Sequence, residues 1–460
     1  DPEEGDRRHD ELRRELLEPA RRLISEAAET GSLEGRLGEA WIAYFNQDDP
    51  RVLEVVERVE QEAPWLHEAS LLRGRVHLRR AQEANDDGRT DEAAALLGQA
   101  TESFLRTVEI GRSESRAYLG LCAVSVERLD LARSQPSSGQ PMYDAGLDWC
   151  GAAIEIDPEN AEGWLSRALL HTEWGELLQW RVQLSEGVME LARRDAQRAL
   201  AIEPTLASAY VVLGDADLAA ATEQLRRGED PRPSLRSAVR HLELCLELEP
   251  QRPAPHFLLA GALGIEGRWL QGRERIALQR EALVWLERLT ELSPEEPGTW
   301  GAAANGWLQL ADGLATAGDD PGEAIDEAER HYRRALEQLP DASWLRSNLA
   351  IVYLMRGREQ ARSGTDPGPV LESAQEVLLE AHELNPEDPF VLFNLGETDR
   401  ELARWAMLGE PPRGAARQRL LQVLERGRER YRRGLELAPT IGQAWVDMAR
   451  FDVMRAELEL

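Results

Sequence analysis

The sequence predicts an all-α protein, a solenoid of about nine stacked helix pairs with repeats near 46 residues. Three observations predict it. A helix-like segment closes nine times on the same kind of signal, the closings are almost evenly spaced, and small residues recur at fixed offsets from each closing. A fixed period in this range is the mark of stacked supersecondary units, each burying the apolar side of its neighbour.

The closing signals are EAP at Pro64, EIGR at Arg112, EIDP at Pro158, AIEP at Pro204, ELEP at Pro250, ELSP at Pro294, EQLP at Pro340, ELNP at Pro386 and ELAP at Pro439. Successive gaps run 48, 46, 46, 46, 44, 46, 46 and 53 residues. They define repeats at 31–64, 65–112, 113–158, 159–204, 205–250, 251–294, 295–340, 341–386 and 387–439, flanked by an N-terminal helical cap at 1–30 and a capping helix at 440–460.

Counting back from each closing residue, the twelfth position reads Ala100, Gly146, Ala192, Ala238, Ala282, Ala328, Ala374 and Gly427, with Val52 the departure in the first repeat. The fifth reads Ala153, Ala199, Cys245, Ala335, Ala381 and Gly434. Small residues here let two helices approach closely. Between them, eight before the closing, stand bulkier groups such as Phe104, Tyr332, Leu378 and Tyr431. Six after the closing comes a large side chain in several repeats: Trp164, Tyr210, Trp300, Leu392 and Trp445. These tryptophans are expected in the packing between helices. Pairs such as Leu213-Gly214, Leu349-Ala350 and Leu395-Gly396 follow at nine and ten.

The turn inside each repeat has its own signal, GEDP at Gly228–Pro231, GDDP at Gly318–Pro321, GTDP at Gly364–Pro367 and the variant GEPP at Gly409–Pro412. Glycine can take the left-handed conformation that ends a helix. Aspartate caps the next helix, and proline suits its start. A calcium loop would need further oxygen ligands that are missing.

The pattern W/Y-x-x-L-G followed by A, F/Y, A and P resembles the tetratricopeptide repeat over about residues 31–460. The resemblance implies a right-handed α-solenoid whose first helices line a concave face. The standard repeat has 34 residues, so the pairs here carry elongated helices. Arg346 and His256 stand where an aromatic is usual, with Trp344 and Phe257 nearby, and a slight packing offset is expected in those two repeats. The stretches RRGEDPRPSLRSAVRHLELCLELEP and APWLHEASLLRGRVHLRRAQEANDDGRTDEA also resemble the C-terminal tetratricopeptide regions of large bacterial Ser/Thr protein kinases. That resemblance implies a kinase domain N-terminal to Asp1, within a chain cut from something longer.

Composition excludes several functions. The formal net charge is −30, which disfavours nucleic acid and anionic membranes as partners. All 54 basic residues are arginines, so no P-loop lysine, kinase lysine, Schiff base or Ser-x-x-Lys nucleophile exists. Eight histidines lie singly without zinc spacing, and no nucleophile elbow or dinucleotide fingerprint occurs. His241, His331 and His382 read as packing or surface residues. Gly261, Gly264 and Gly267 recur every three residues and predict a close helix contact. No enzyme, cofactor or metal is expected. Cys122, Cys150 and Cys245 are scattered and odd in number; Cys150 and Cys245 fall on inward, small-residue stretches and read as buried thiols, not a disulfide or metal site. With no apolar run of 18 residues and a charged start, a cytoplasmic location is expected.

The expected function is a non-catalytic scaffold holding a protein or peptide in the concave groove, with a small-ligand sensor or structural spacer as the alternative. Groove positions, about 4, 7, 8, 11 and 14 after each closing, are Leu165 and Leu169; Val211 and Asp215; Phe257; Asn305 and Leu308; Trp344, Asn348 and Ile351; and Phe390, Phe393, Asn394 and Glu397. In the repeat family an asparagine there often holds a peptide backbone, because one amide both donates and accepts. The alternative for Asn348 and Asn394 is bracing between helices.

Overall fold

A computed structural model describes residues 32–132, 139–180, 186–408 and 412–459, together with Pro19, Leu23, Ile24, Glu26 and Ala27. Most of the expected 1–30 cap, and Gly409–Pro411 of the GEPP turn, lie outside the described residues. The chain divides into two compact units, Asp1–Ala219 and Ala220–Leu460. Among the described residues there are nineteen helices and no strand.

The first unit holds α1 (Leu33–Phe45), α2 (Asp49–Glu62), α3 (His67–Asp86), α4 (Thr90–Ile110), α5 (Ser115–Leu131), α6 (Gln140–Ile156), α7 (Ala161–Trp180), α8 (Glu186–Ile202) and the start of α9 (Ala207–Arg227). The second holds the rest of α9, then α10 (Arg232–Leu248), α11 (Pro253–Trp269), α12 (Gly272–Leu292), α13 (Pro297–Ala317), α14 (Gly322–Gln338), α15 (Ser343–Arg362), α16 (Gly368–Leu384), α17 (Pro389–Ala406), α18 (Ala415–Leu437) and α19 (Gly442–Glu459). Within each unit helices pack on their sequence neighbours. First helices of successive pairs also touch: α1 with α3, α3 with α5 and α5 with α7 in the first unit, α13 with α15 and α15 with α17 in the second.

The recurring small residues explain this packing. Eight before a closing, a bulky side chain of the second helix drops onto the position ten after the preceding closing, on the first helix of the same pair. A Cβ on Gly74 would sit 2.6 Å from the Phe104 ring, and one on Gly396 would sit 2.5 Å from Tyr431. The positions five before and seven after cross in the same way, as Gly434 does with Phe393 at 2.5 Å. Twelve before the closing, the contact is with the next pair: Gly146 faces Leu170 and Gly427 faces Phe451. Phe104 and Tyr332 are fully buried as a result.

One crossing is covalent. Cys122 lies ten after Arg112 and Cys150 eight before Pro158, so they occupy the position where Phe104 meets Gly74 one repeat earlier. They form a disulfide, with Cα atoms 5.2 Å apart. This corrects the buried-thiol reading of Cys150 and the expectation of no disulfide; Cys245 alone is a free, buried thiol. Closing a loop across 28 residues restricts the unfolded chain and, on the chain-entropy scale, contributes roughly 3.5 kcal/mol. Chemical denaturation with and without reductant is expected to show a loss of that order, absent in Cys122→Ser with Cys150→Ser.

At six of the nine closings the position six residues on is a latch; Ser70, His256 and Leu392 are the exceptions. Trp164, Trp300 and Trp445 each donate their indole N–H to the carbonyl of Pro158, Pro294 and Pro439 at 2.8–3.1 Å. Tyr118 and Tyr210 donate their hydroxyls to Arg112 and Pro204. The Arg346 guanidinium does the same to Pro340, taking over the donor role of the aromatic there. His256 behaves differently, bonding the Arg252 carbonyl and meeting Trp285 edge-on. The tryptophans are therefore less buried than expected, Trp445 being half exposed.

The internal turns follow their sequence. Gly228, Gly318 and Gly364 have φ between +73° and +82°, and Asp230, Asp320 and Asp366 accept from the backbone N–H two residues on. The glycine series on α11 differs from expectation: a Cβ on Gly261 would meet nothing, so that residue faces open space.

Candidate partner-binding surface

First helices present residues from two kinds of position, and burial separates them. In the first unit Leu165 is buried among Ala192, Ala196 and Ala199, whereas Leu169, one turn on, is more than a third exposed. Leu165 therefore belongs to the core. It lies seven after its closing, where the small Ala199 leaves room for it. Val211 and Asp215 on α9 are half-buried.

In the second unit the same rule sends Phe393 inward. Its ring lies over Gly434 and 5.4 Å from Tyr431, and it is 8% exposed. Phe393 is a core residue, not a groove residue. Phe257 is its counterpart on α11, yet it is 52% exposed, because the facing position carries Leu289 in place of alanine or glycine. Leu289 fills the space and leaves Phe257 on the wall of an open notch of about 590 Å³ with Pro253, Thr299 and Gly298.

Four after the closings stand Trp344, 38% exposed and resting on Gly301, and Phe390, 50% exposed and edge-on to Phe393. Asn305, Leu308, Asn348 and Ile351 are half-buried. The asparagines divide. Asn394 donates to the Ser347 hydroxyl at 3.1 Å and thus braces α17 against α15, while Asn305 accepts from the buried Tyr332 hydroxyl. The Asn348 amide has no hydrogen-bond partner among the described residues.

Charge stitches the same row of helices. Glu397 and Glu401 on α17 receive Arg358 of α15, and Arg400 joins Glu397 to Asp447 of α19. Behind them Asp399 is fully buried, gripped by Arg426 and Arg430 of α18. Burial pushes Arg430 below its ordinary range despite that carboxylate. Glu397 is thus occupied by its own neighbours. The sequence reading missed these pairings because all but Arg400–Glu397, three residues apart on α17, are set by which helices abut. It also missed His171, Tyr143 and Asp195, a buried polar group on α6–α8.

Among the described residues no group of three or more histidine, cysteine, aspartate or glutamate side chains could hold a metal, and no helix is long and apolar enough to cross a membrane. No family model matches the chain, and no curated protein matches it. Solved structures similar to it include yeast Tom70, 11% identical with a TM-score of 0.42 over 99% of this chain and 95% of that one. The human IFIT1 dimer with m7Gppp-AAAA is 14% identical, with a TM-score of 0.41 over 94% and 88%. TTC0263, a thermophilic TPR protein of Thermus thermophilus, is 20% identical, with a TM-score of 0.36 over 51% and 98%.

Proposed function

We propose that this chain is a non-catalytic scaffold that binds a protein or peptide segment along the first helices. One observation carries the reading: at matched positions of α15 and α17, Trp344 and Phe390 expose large apolar surface beside the unpartnered Asn348 amide. Apolar anchors fix side chains of a bound segment, and a free amide can both donate to and accept from its backbone. Contacts between successive first helices within each unit support such a surface, whose remaining candidates are Leu169, Val211 and Asp215 in the first unit and Phe257, Asn305, Leu308 and Ile351 in the second.

The test is selection of a displayed random-peptide library against the full chain, comparing wild type with Phe390→Ala plus Asn348→Ala. Neither side chain holds the core, so helicity and melting are expected to stay unchanged while affinity for selected peptides falls by about tenfold, a loss of roughly 1.4 kcal/mol. Equal binding by the double variant rejects the reading.

The resemblance to kinase C-terminal regions supports a finer version, in which the scaffold regulates an attached signalling enzyme. The Cys122–Cys150 crosslink bears on location. Structural disulfides persist in oxidising compartments, which argues against the cytoplasmic expectation. Mass spectrometry of non-reduced protein from its native cells decides between them.

A further inference from the structure

We infer that the first unit holds a binding site for a small organic anion, independent of the peptide surface proposed above. The site is a cleft of about 590 Å³ between the second helices α6 and α8, floored by α7. Its chemistry is set by a buried polar chain. The Tyr143 hydroxyl lies 2.8 Å from His171 Nδ1, and His171 Nε2 lies 3.5 Å from Asp195 Oδ2. The carboxylate only accepts, so Nε2 carries the hydrogen and Nδ1 accepts from the tyrosine. Arg167 closes the chain, donating through Nε and Nη2 to both Asp195 oxygens at 2.6 and 2.9 Å. Tyr143, His171 and Asp195 are all more than nine-tenths buried.

That chain consumes Asp195, the one carboxylate lining the cleft among the described residues, and leaves cations over. Among the described residues Arg167 Nη1 has no partner, and Arg194 at the mouth has no ion pair or hydrogen bond. Arg198 is held only by Glu159, an exposed pair at the rim, and exposed pairs of this kind are worth little. Trp164 lies beneath the Arg167 and Arg198 guanidinium groups, 4.9 and 5.8 Å from its ring centre, and so keeps both turned along one wall. Leu147 and Leu191 supply apolar walls. In a protein of net charge −30, three arginines converging on an apolar-walled cleft are an exception that solubility does not call for. Guanidinium groups pair with carboxylate or phosphate through charge-assisted bonds. The ligand is accordingly an organic acid or phosphate ester with an apolar body of the size of a phenyl group.

Titration calorimetry of the full chain with phenyl phosphate, 3-phenylpropionate and neutral 2-phenylethanol tests this. One-to-one binding of at least one anion, with no saturable heat from the alcohol, is expected; which anion binds identifies the headgroup. Arg194→Ala with Arg198→Ala removes only exposed side chains, so melting is expected to hold while anion affinity falls at least tenfold. Ligand-induced quenching of tryptophan fluorescence is expected to shrink in Trp164→Phe. Absence of saturable binding by both anions, equal binding of the alcohol, or unchanged affinity in the double arginine variant overturns the site.

Discussion

Replacing Asp399 by alanine is expected to destabilise the second unit by about 3–5 kcal/mol, the usual consequence of leaving one half of a buried ion pair behind. Asp399 is fully buried and is the shared acceptor for Arg426 and Arg430. Arg426 can turn to water, since its side chain is nearly half exposed, but Arg430 is 15% exposed and would keep only its bond to the Leu395 carbonyl. The loss therefore comes chiefly from one stranded guanidinium. Urea denaturation followed by circular dichroism measures it, and Asp399→Asn separates charge from shape. If Asn retains most of the stability, hydrogen bonding and not charge holds α17 to α18.

Phe104→Ala is expected to cost the first unit a similar 3–5 kcal/mol, by loss of apolar burial and creation of a cavity. Its ring is fully buried and wedged between two glycines of successive first helices, Gly74 and Gly120, with contacts that a Cβ would bring to 2.5–2.6 Å. Neither glycine has a side chain that could fill the vacated volume. The complementary change, Gly120→Ala, adds one methyl group where the ring already sits and is expected to cost about 1–3 kcal/mol through overpacking. Denaturation of both variants checks the pair. A small loss in Phe104→Ala means that α3 and α5 can close over the gap.

The architecture was legible because repetition averages out local ambiguity: a proline about every 46 residues and an alanine or glycine twelve before a closing are each weak, but eight occurrences of each are not. The candidate surface was harder to read. Phe390 and Phe393 differ by one helical turn, and only the glycine at 434, far along the chain, lets the second sink into the core. Phe257 occupies the same position as Phe393 and is pushed out by Leu289. Burial at that position is decided by the partner helix, so a reading of the first helix alone treats both as groove. The disulfide, by contrast, was available: Cys122 and Cys150 occupy two positions that cross in every well-formed pair, and aligning both offsets together would have joined them. The cleft polar chain had no such repeat signal, since Tyr143, His171 and Asp195 come from three helices and occur once.

The latch onto a closing carbonyl asks only for an N–H or O–H at the right reach, and indole, phenol and guanidinium all serve. A joint defined by a bond and not by a ring can change its hardware without coming apart. Trp300→Arg is therefore tolerated in principle, while Trp300→Phe, which keeps the aromatic and drops the donor, is the more damaging exchange. Such a joint lets its lettering vary from tryptophan to tyrosine to arginine along one chain while the fastening stays the same.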